Sequence, residues 1–302
     1  MMSTIKPVKK IIFDNDDVNI DSEHLAMTVM DDFSCEMVGK YVGGNALQKG
    51  HIYANYKGTS TDKIVQALID NYDLPYDSIK TDYQLGDIPD EKVALAVAEI
   101  VTQQTIDAFK GNLKAIPNIS VALKEIDKML GGIENRALCT TSPHDRMVVS
   151  LESAVDPVTG ENAGLAELFP DEENRRVSGY DYDNKYEYFL QLNPDWDPKE
   201  TAVVEDSLSG VRKALTASQD FRVIGTVAAS SYQDKREQIG KLLQAGARIV
   251  VTDVADLPRA VEWLNNGMNM NNVPQFTSAV HHNNPLQGDQ RVFGPSPTTA
   301  IN

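Results

Sequence analysis

Short apolar runs alternate with helical patterns along most of this chain, and this alternation constrains its fold more than any other feature. Residues 8–13, 136–141, 201–204, 222–227 and 248–252 are predicted strands, with a weaker one at 176–178. The segments predicted as helices between them are 119–130, 143–153, 208–217, 234–245 and 257–264. Strands that alternate with helices predict an α/β fold with a doubly wound parallel sheet and right-handed crossovers.

The segment from residue 22 to residue 112 breaks this alternation. Its apolar residues recur at helical spacing, with predicted helices at 23–38, 62–72 and 90–109, and no strand pattern is evident. We therefore predict a core domain formed by residues 1–21 and 113–264, with an all-α cap domain inserted at residues 22–112. Residues 265–302 are rich in Asn, Gly, Pro, Ser and Thr, which predicts a mostly irregular C-terminal tail.

The charge of the chain restricts its partners. The formal net charge is −16, and a field of that sign repels nucleic acids and anionic lipid surfaces. No apolar run approaches the roughly 20 residues that span a bilayer, and the first ten residues lack the apolar core of a signal peptide. We predict a cytoplasmic protein, monomeric or homodimeric, with no nucleic-acid or membrane partner.

Polar side chains stand where three of the predicted strands end. They are Asp14, Asp16, Asp17, Thr140, Thr141, Ser142, Glu205, Asp206 and Ser207. Ligands of open α/β sheets bind at the carboxyl ends of the strands, so these side chains are expected to converge. Clustered carboxylates repel one another, and a site with only oxygen ligands suits Mg²⁺ better than Zn²⁺. Helix capping explains each of these residues singly, but it does not explain why they coincide at three strand ends.

The same strand ends resemble motifs of the haloacid dehalogenase-like hydrolases. Residues 13–23, Phe-Asp-Asn-Asp-Asp-Val-Asn-Ile-Asp-Ser-Glu, are similar to the first motif, Asp-x-Asp-Gly-hydrophobic-x-x-Asp-Ser-Glu. Residues 138–143 resemble the second motif, and residues 203–211, Val-Val-Glu-Asp-Ser-Leu-Ser-Gly-Val, resemble the fourth. The resemblance covers about residues 8–264. It points to the helical-cap subgroup, which includes phosphoglycolate, sugar-phosphate and 6-phosphogluconate phosphatases and β-phosphoglucomutase.

The resemblance implies an enzyme, a Mg²⁺-dependent phosphatase of a small phosphorylated metabolite such as a sugar or sugar-acid phosphate. Asp14 would be the nucleophile that forms an aspartyl-phosphate, and Asp16 the general acid and then the general base. Thr140 would bind a phosphoryl oxygen, with Thr141 and Ser142 beside it. The implied metal ligands are Asp14, Asp16 through its backbone carbonyl, Asp206 and, in the outer shell, Glu205.

The lysines are the weakest part of the match. Lys185 is the best candidate for the third motif, as a catalytic and phosphate-binding residue, but it lacks the usual Gly-Lys-Pro-x-Pro context. A solvated helix lysine is the alternative. In the predicted cap, residues 56–63 resemble the specificity loop of the subgroup. Lys57 and Lys63 are the candidates there for contact with an anionic substrate, unless they are ordinary surface lysines.

Two other functions stay open. A phosphosugar mutase of the β-phosphoglucomutase type is one, although Thr61 and Ala26 stand where that enzyme has Arg and His. A non-catalytic member that binds a phosphorylated ligand is the other, because Asp17 replaces the usual glycine of the first motif. That glycine permits an unusual backbone turn, and Asp tolerates left-handed geometry better than most residues.

Overall fold

A computed structural model of the protein describes residues 6–56, 59–172, 174–231, 234–268, 279–282 and 290–293. The chain forms two compact units. The α/β unit comprises Met1–Asp21 and Lys114–Asn302, and the helical unit comprises Ser22–Leu113. Within the described residues, no helix is both long and apolar enough to cross a membrane.

The strands belong to the α/β unit. They are β1 (Lys10–Phe13), β2 (Ile20–Asp21), β3 (Lys114–Ala115), β4 (Arg136–Thr140), β5 (Arg176–Ser178), β6 (Thr201–Glu205), β7 (Arg222–Thr226), β8 (Ile249–Val251), β9 (Ala279–His282) and β10 (Gln290–Phe293). The main sheet has the order β10-β9-β8-β7-β6-β1-β4-β5, and β2 pairs with β3 in a small antiparallel sheet. The six strands from β8 to β5 in this order are parallel. The predicted α/β class with a parallel sheet is confirmed.

The helices flank this sheet or form the helical unit. They are α1 (Glu23–Tyr41), α2 (His51–Tyr56), α3 (Thr61–Tyr72), α4 (Tyr76–Asp82), α5 (Val93–Phe109), α6 (Ile119–Leu130), α7 (His144–Ser153), α8 (Leu165–Leu168), α9 (Lys185–Leu192), α10 (Leu208–Ala217), α11 (Lys235–Ala245) and α12 (Leu257–Asn265). Helices α1 to α5 belong to the helical unit, whose described residues contain no strand.

The central strands are buried along almost their whole length because helices cover both faces of the sheet, and their middle residues are apolar. Successive residues of a strand point to opposite faces. Ile12 of β1 and Val203 of β6 therefore lie in the core cluster beneath α9, α10 and α11. Phe13 points the other way, and its ring meets that of Phe169 edge-on with centroids 5.8 Å apart. Because both faces of β1 and β6 are buried, the two strands are fixed in position, and so are the residues that follow them.

The C-terminal segment differs from its prediction. A mostly irregular tail is expected over residues 265–302, but β9 and β10 lie within it and add two antiparallel strands beyond β8. The prediction did not include these two strands. The open edge of β8 offers backbone hydrogen bonds to any strand beside it, and a composition-based argument does not take such an edge into account. Other parts of the predicted tail lie outside the described residues.

Candidate active site

The chain makes a tight turn immediately after β1. Asp14 N donates to Val204 O at 3.0 Å and so continues the pairing of β1 with β6. Asp17 then adopts a positive φ of 57°, and its backbone N–H donates to Ile20 O at 2.7 Å. The amide of Asn19 reaches back to Asp14 O at 2.6 Å. These bonds hold the acidic turn rigidly at the carboxyl end of the sheet.

Lys185 lies between two carboxylates. Its Nζ is 2.7 Å from Oδ1 of Asp14 and 2.8 Å from Oε1 of Glu205. Lys185 is the first residue of α9, where Asn184 accepts a hydrogen bond from Tyr186 N at 3.0 Å and caps the helix. Burial lowers the pKa of Lys185, but the charges of Asp14 and Glu205 outweigh it and leave the pKa raised, so the ammonium stays charged. For the carboxyl group of Asp14 burial has the opposite sign and raises the pKa, and the charge of Lys185 opposes that effect.

Glu205, the last residue of β6, is completely buried and held by several donors. The hydroxyl of Tyr186 donates to its Oε1 at 2.7 Å. Its Oε2 accepts from Asp206 N at 3.2 Å and from Ser207 N and Oγ at 3.3 and 3.2 Å. Gly210 in α10 leaves the space that this carboxylate occupies, since a Cβ there would lie 2.0 Å from Oε1. Glu205 is therefore an anchor for the lysine, and burial together with its charge raises the pKa of Tyr186.

Asp16 is oriented by residues of the β4–α7 connection. Ser142 Oγ donates to its Oδ2 at 2.6 Å, and Thr140 Oγ1 lies 3.4 Å from the same oxygen. The guanidinium of Arg146, in the first turn of α7, donates to Oδ1 at 3.3 Å. The loop itself is held by Ser178, whose hydroxyl donates to Ser142 O at 2.7 Å. The carboxylate of Asp16 is thus fixed by contacts to both of its oxygens.

The carboxylates at the strand ends form a group that suits a divalent cation. One oxygen from each of Asp14, Glu205 and Asp206 lies within 4.8 Å of the others, and all three residues are buried. Oxygen ligands of this kind fit hard cations such as Mg²⁺. Asp17 is also buried and accepts a hydrogen bond from Ser231 Oγ. The donor set therefore fits the predicted magnesium ion.

Within the α/β unit, the structure brings most of the predicted site residues together. The acidic residues, Thr140, Ser142 and Lys185 meet at the carboxyl end of the parallel strands. Thr141 is exposed, Lys63 is an exposed residue of α3 in the helical unit, and Lys57 lies outside the described residues.

Sequence reasoning missed several contributors, among them Arg146, Tyr186 and Ser231. The one sequence feature that could have indicated one of them is Pro143, which immediately precedes α7. A helix that starts there has Arg146 in its first turn, next to the residues that resemble the second motif.

Comparison with solved structures identifies the fold. A conserved haloacid dehalogenase-like protein of unknown function from Agrobacterium tumefaciens is similar with a TM-score of 0.57 and 22% identity, over 85% of this chain and 99% of that one. A HAD family hydrolase from Deinococcus radiodurans, with bound phosphate and sodium, has a TM-score of 0.56 and 19% identity over 86% and 97% of the two chains.

A predicted phosphoglycolate phosphatase from Haemophilus somnus has a TM-score of 0.57 and 17% identity over 85% and 99%. No family model and no curated protein sequence matches the chain. The chain therefore shares the fold of the haloacid dehalogenase-like hydrolases.

Proposed function

We propose that this chain is a Mg²⁺-dependent phosphatase of a small phosphorylated metabolite, of the sugar or sugar-acid phosphate type. The observation that carries the proposal is the placement of Lys185 Nζ 2.7 Å from Asp14 Oδ1, beside the acidic group of β6 and within a haloacid dehalogenase-like fold. A structure of similar fold holds phosphate and sodium, which supports a site for an anion together with a cation.

In the first half of the reaction, a carboxylate oxygen of Asp14 attacks phosphorus, and the bond between phosphorus and the leaving oxygen breaks. Asp16 gives its proton to the leaving oxygen, so that an alcohol departs. The hydroxyl of Thr140 and the ammonium of Lys185 stabilise negative charge on the phosphoryl oxygens. The products of this half are the alcohol and phosphorylated Asp14.

In the second half, water attacks the phosphorus of the acyl phosphate and gives a proton to Asp16. The bond between phosphorus and the Asp14 oxygen breaks, which releases inorganic phosphate and regenerates both aspartates. Ser142 and Arg146 keep the carboxylate of Asp16 oriented for both proton transfers. Without that orientation, the same side chain could not serve the leaving alcohol and the incoming water in turn.

The cation site would be formed by Asp14, Asp206 and the backbone carbonyl of Asp16, with Glu205 in the outer shell. A bound Mg²⁺ would supply positive charge to the phosphoryl oxygens. We further propose that the helical unit acts as a cap that selects the substrate, with Lys57 and Lys63 as candidates for contact with its anionic part.

The proposal is tested by incubating the purified chain with Mg²⁺ and a panel of phosphorylated metabolites, and measuring the inorganic phosphate released. We expect release from at least one of them, and loss of that release with EDTA or in Asp14→Asn. Asp220→Asn is the matched control, since Asp220 is exposed and precedes β7 at the amino end of the strands. Full activity in Asp14→Asn would exclude Asp14 as the nucleophile.

Two other results would replace the proposal. Interconversion of sugar phosphates without net release of phosphate would indicate the mutase. Beryllium fluoride mimics an aspartyl-phosphate, so the absence of any Mg²⁺-dependent thermal shift with it, together with an inactive panel, would favour a non-catalytic binding protein.

A further inference from the structure

Asp17 combines two features that each cost stability. Its backbone φ is 57°, in the left-handed region, and its side chain is carried into the interior, since the residue is only 1% exposed. Asp is among the residues that tolerate left-handed geometry, but glycine adopts it at lower cost. A buried carboxylate also needs compensation by hydrogen bonds or by a cation. The contacts of the side chain must therefore offset both costs.

One of those contacts crosses the sheet edge. Ser231, in the loop after β7, donates a hydrogen bond from its Oγ to Oδ2 of Asp17 in the loop after β1. In the sheet, β6 lies between β7 and β1, and Asp206 immediately follows β6. The link between Asp17 and Ser231 therefore joins the two loops that flank Asp206. Asp206 is itself held from a third direction, because Gln238 Nε2 donates to its backbone carbonyl at 2.8 Å.

The carboxylates of Asp17 and Asp206 are close to each other. One oxygen of Asp17 lies within 4.8 Å of one oxygen of Asp206, and both residues are buried. Two buried carboxylates at this separation repel strongly. A divalent cation next to Asp206 would be attracted by Asp17 as well.

We propose that Asp17 is an additional acidic determinant of the cation site, held by Ser231 at a distance from which it stabilises the ion bound to Asp206, directly or through a water molecule of the ion. The assignment deepens the proposed function, because it concerns the same cation site. It makes Asp17 a positioning residue for the ion and gives the side chain at this position a role that glycine could not have. Affinity for divalent cations rises with the number of carboxylates around the site.

The test is isothermal titration calorimetry of MgCl₂ into the full chain after EDTA treatment and dialysis, for wild type, Asp17→Asn, Asp17→Gly and Ser231→Ala. We expect Asp17→Asn and Asp17→Gly to bind Mg²⁺ about 10- to 100-fold more weakly than wild type, the range found when groups around a metal site are removed. Ser231→Ala should lose less than either, because it keeps the carboxylate. Without metal, Asp17→Gly should melt at or above the wild-type temperature, since glycine accepts the positive φ.

Asp73→Gly is the matched control. Asp73 also has a positive φ, of 48°, but it is exposed and ends α3 in the helical unit. This variant removes the same charge from a backbone position with a similar positive φ, and it should leave the affinity for Mg²⁺ unchanged.

Wild-type affinity in both Asp17→Asn and Asp17→Gly would overturn the inference, as would the absence of Mg²⁺ binding by the wild type. The proposed function can fail separately. Mg²⁺ binding that depends on Asp17, in a protein that releases phosphate from no metabolite, would reject the phosphatase and support the role of Asp17. Phosphate release with unchanged affinity in the Asp17 variants would do the reverse.

Discussion

Lys185 and Asp14 are 171 positions apart in the chain, yet they form a buried ion pair with Nζ 2.7 Å from Oδ1. The ammonium also lies 2.8 Å from Oε1 of Glu205. One positive charge thus stands between two negative ones, and neither carboxylate could be buried at reasonable cost without it. The group keeps an excess negative charge, which favours a cation as a further ligand of the site.

Replacing Lys185 by methionine should be strongly destabilising. Methionine fills similar space but leaves the carboxylates of Asp14 and Glu205 without their shared counter-charge, and breaking a buried pair in this way costs about 3–5 kcal/mol. Urea unfolding followed by circular dichroism measures the change. Lys241→Met is the matched control. It breaks a half-exposed ion pair, in which Lys241 Nζ lies 2.6 Å from Glu237 Oε1, so the cost should stay below about 1 kcal/mol. Equal costs in the two variants would contradict the described role of Lys185.

Tyr186→Phe should have a smaller effect than loss of the lysine. The variant removes the hydroxyl that donates to Glu205 Oε1 at 2.7 Å but leaves the ammonium in place. A buried acceptor that loses one of its donors costs about 1–3 kcal/mol, measurable by thermal and urea unfolding. Tyr72→Phe, in α3, removes a hydroxyl that makes no hydrogen bond within the part of the chain that the structure describes, so it should change stability by less than about 0.5 kcal/mol. A wild-type stability in Tyr186→Phe would show that the hydroxyl does not hold Glu205.

Most of the α/β fold was predictable, because its strands are buried on both faces and are therefore apolar runs. β1 and β6 lie where residues 8–13 and 201–204 predict them. In the helical unit, α1, α3 and α5 lie on predicted helices, but α2 and α4 were missed. Those two helices have six and seven residues, too few to show a clear helical period.

The site was predictable only where its residues belong to strand ends. The positions of Thr140 and Asp206 at the carboxyl edge of the sheet follow directly from the predicted ends of β4 and β6. Arg146 and Ser231 act through contacts to distant loops, and no local pattern marks a residue for such a contact. Lys185 stands in an unusual sequence context. It is the first residue of α9, and its position beside β6 depends on the tertiary path of the chain, which no local pattern shows.

The space around Glu205 gives a sharper test than side-chain deletion. A Cβ added at Gly210 would lie 2.0 Å from Oε1 and 2.1 Å from Oε2 of Glu205, so Gly210→Ala must displace the carboxylate or the helix. Overpacking of this kind costs about 1–3 kcal/mol. We expect lower stability and a large loss of phosphate release, because Lys185 would lose its anchor.

Gly240→Ala is the matched control for that variant. Gly240 lies in α11, and an added Cβ would meet no atom within 4 Å. Alanine is a better helix former than glycine, so this variant should be more stable than wild type by about 0.5–1 kcal/mol and equally active. Stability and activity are measured on the same preparations by thermal unfolding and phosphate release. A Gly210→Ala protein that behaves like Gly240→Ala would show that Glu205 is not confined by α10.

Ser142→Ala should reveal the orientation of Asp16 through the choice of substrate. Ser142 Oγ donates to Asp16 Oδ2 at 2.6 Å, and its loss frees the carboxylate that protonates the leaving group. Proton transfer matters for an alkyl phosphate and little for p-nitrophenyl phosphate, whose phenolate leaves without a proton. General acid catalysis contributes about 10²- to 10⁴-fold, so a partial loss of about tenfold in kcat is expected for the alkyl ester alone, with little change in KM.

Ser153→Ala is the matched control for that variant. It loses only a hydrogen bond to Val149 O within α7, and both substrates should be hydrolysed at the wild-type rate. An equal loss on both substrates in Ser142→Ala would instead indicate that Ser142 binds the phosphoryl group.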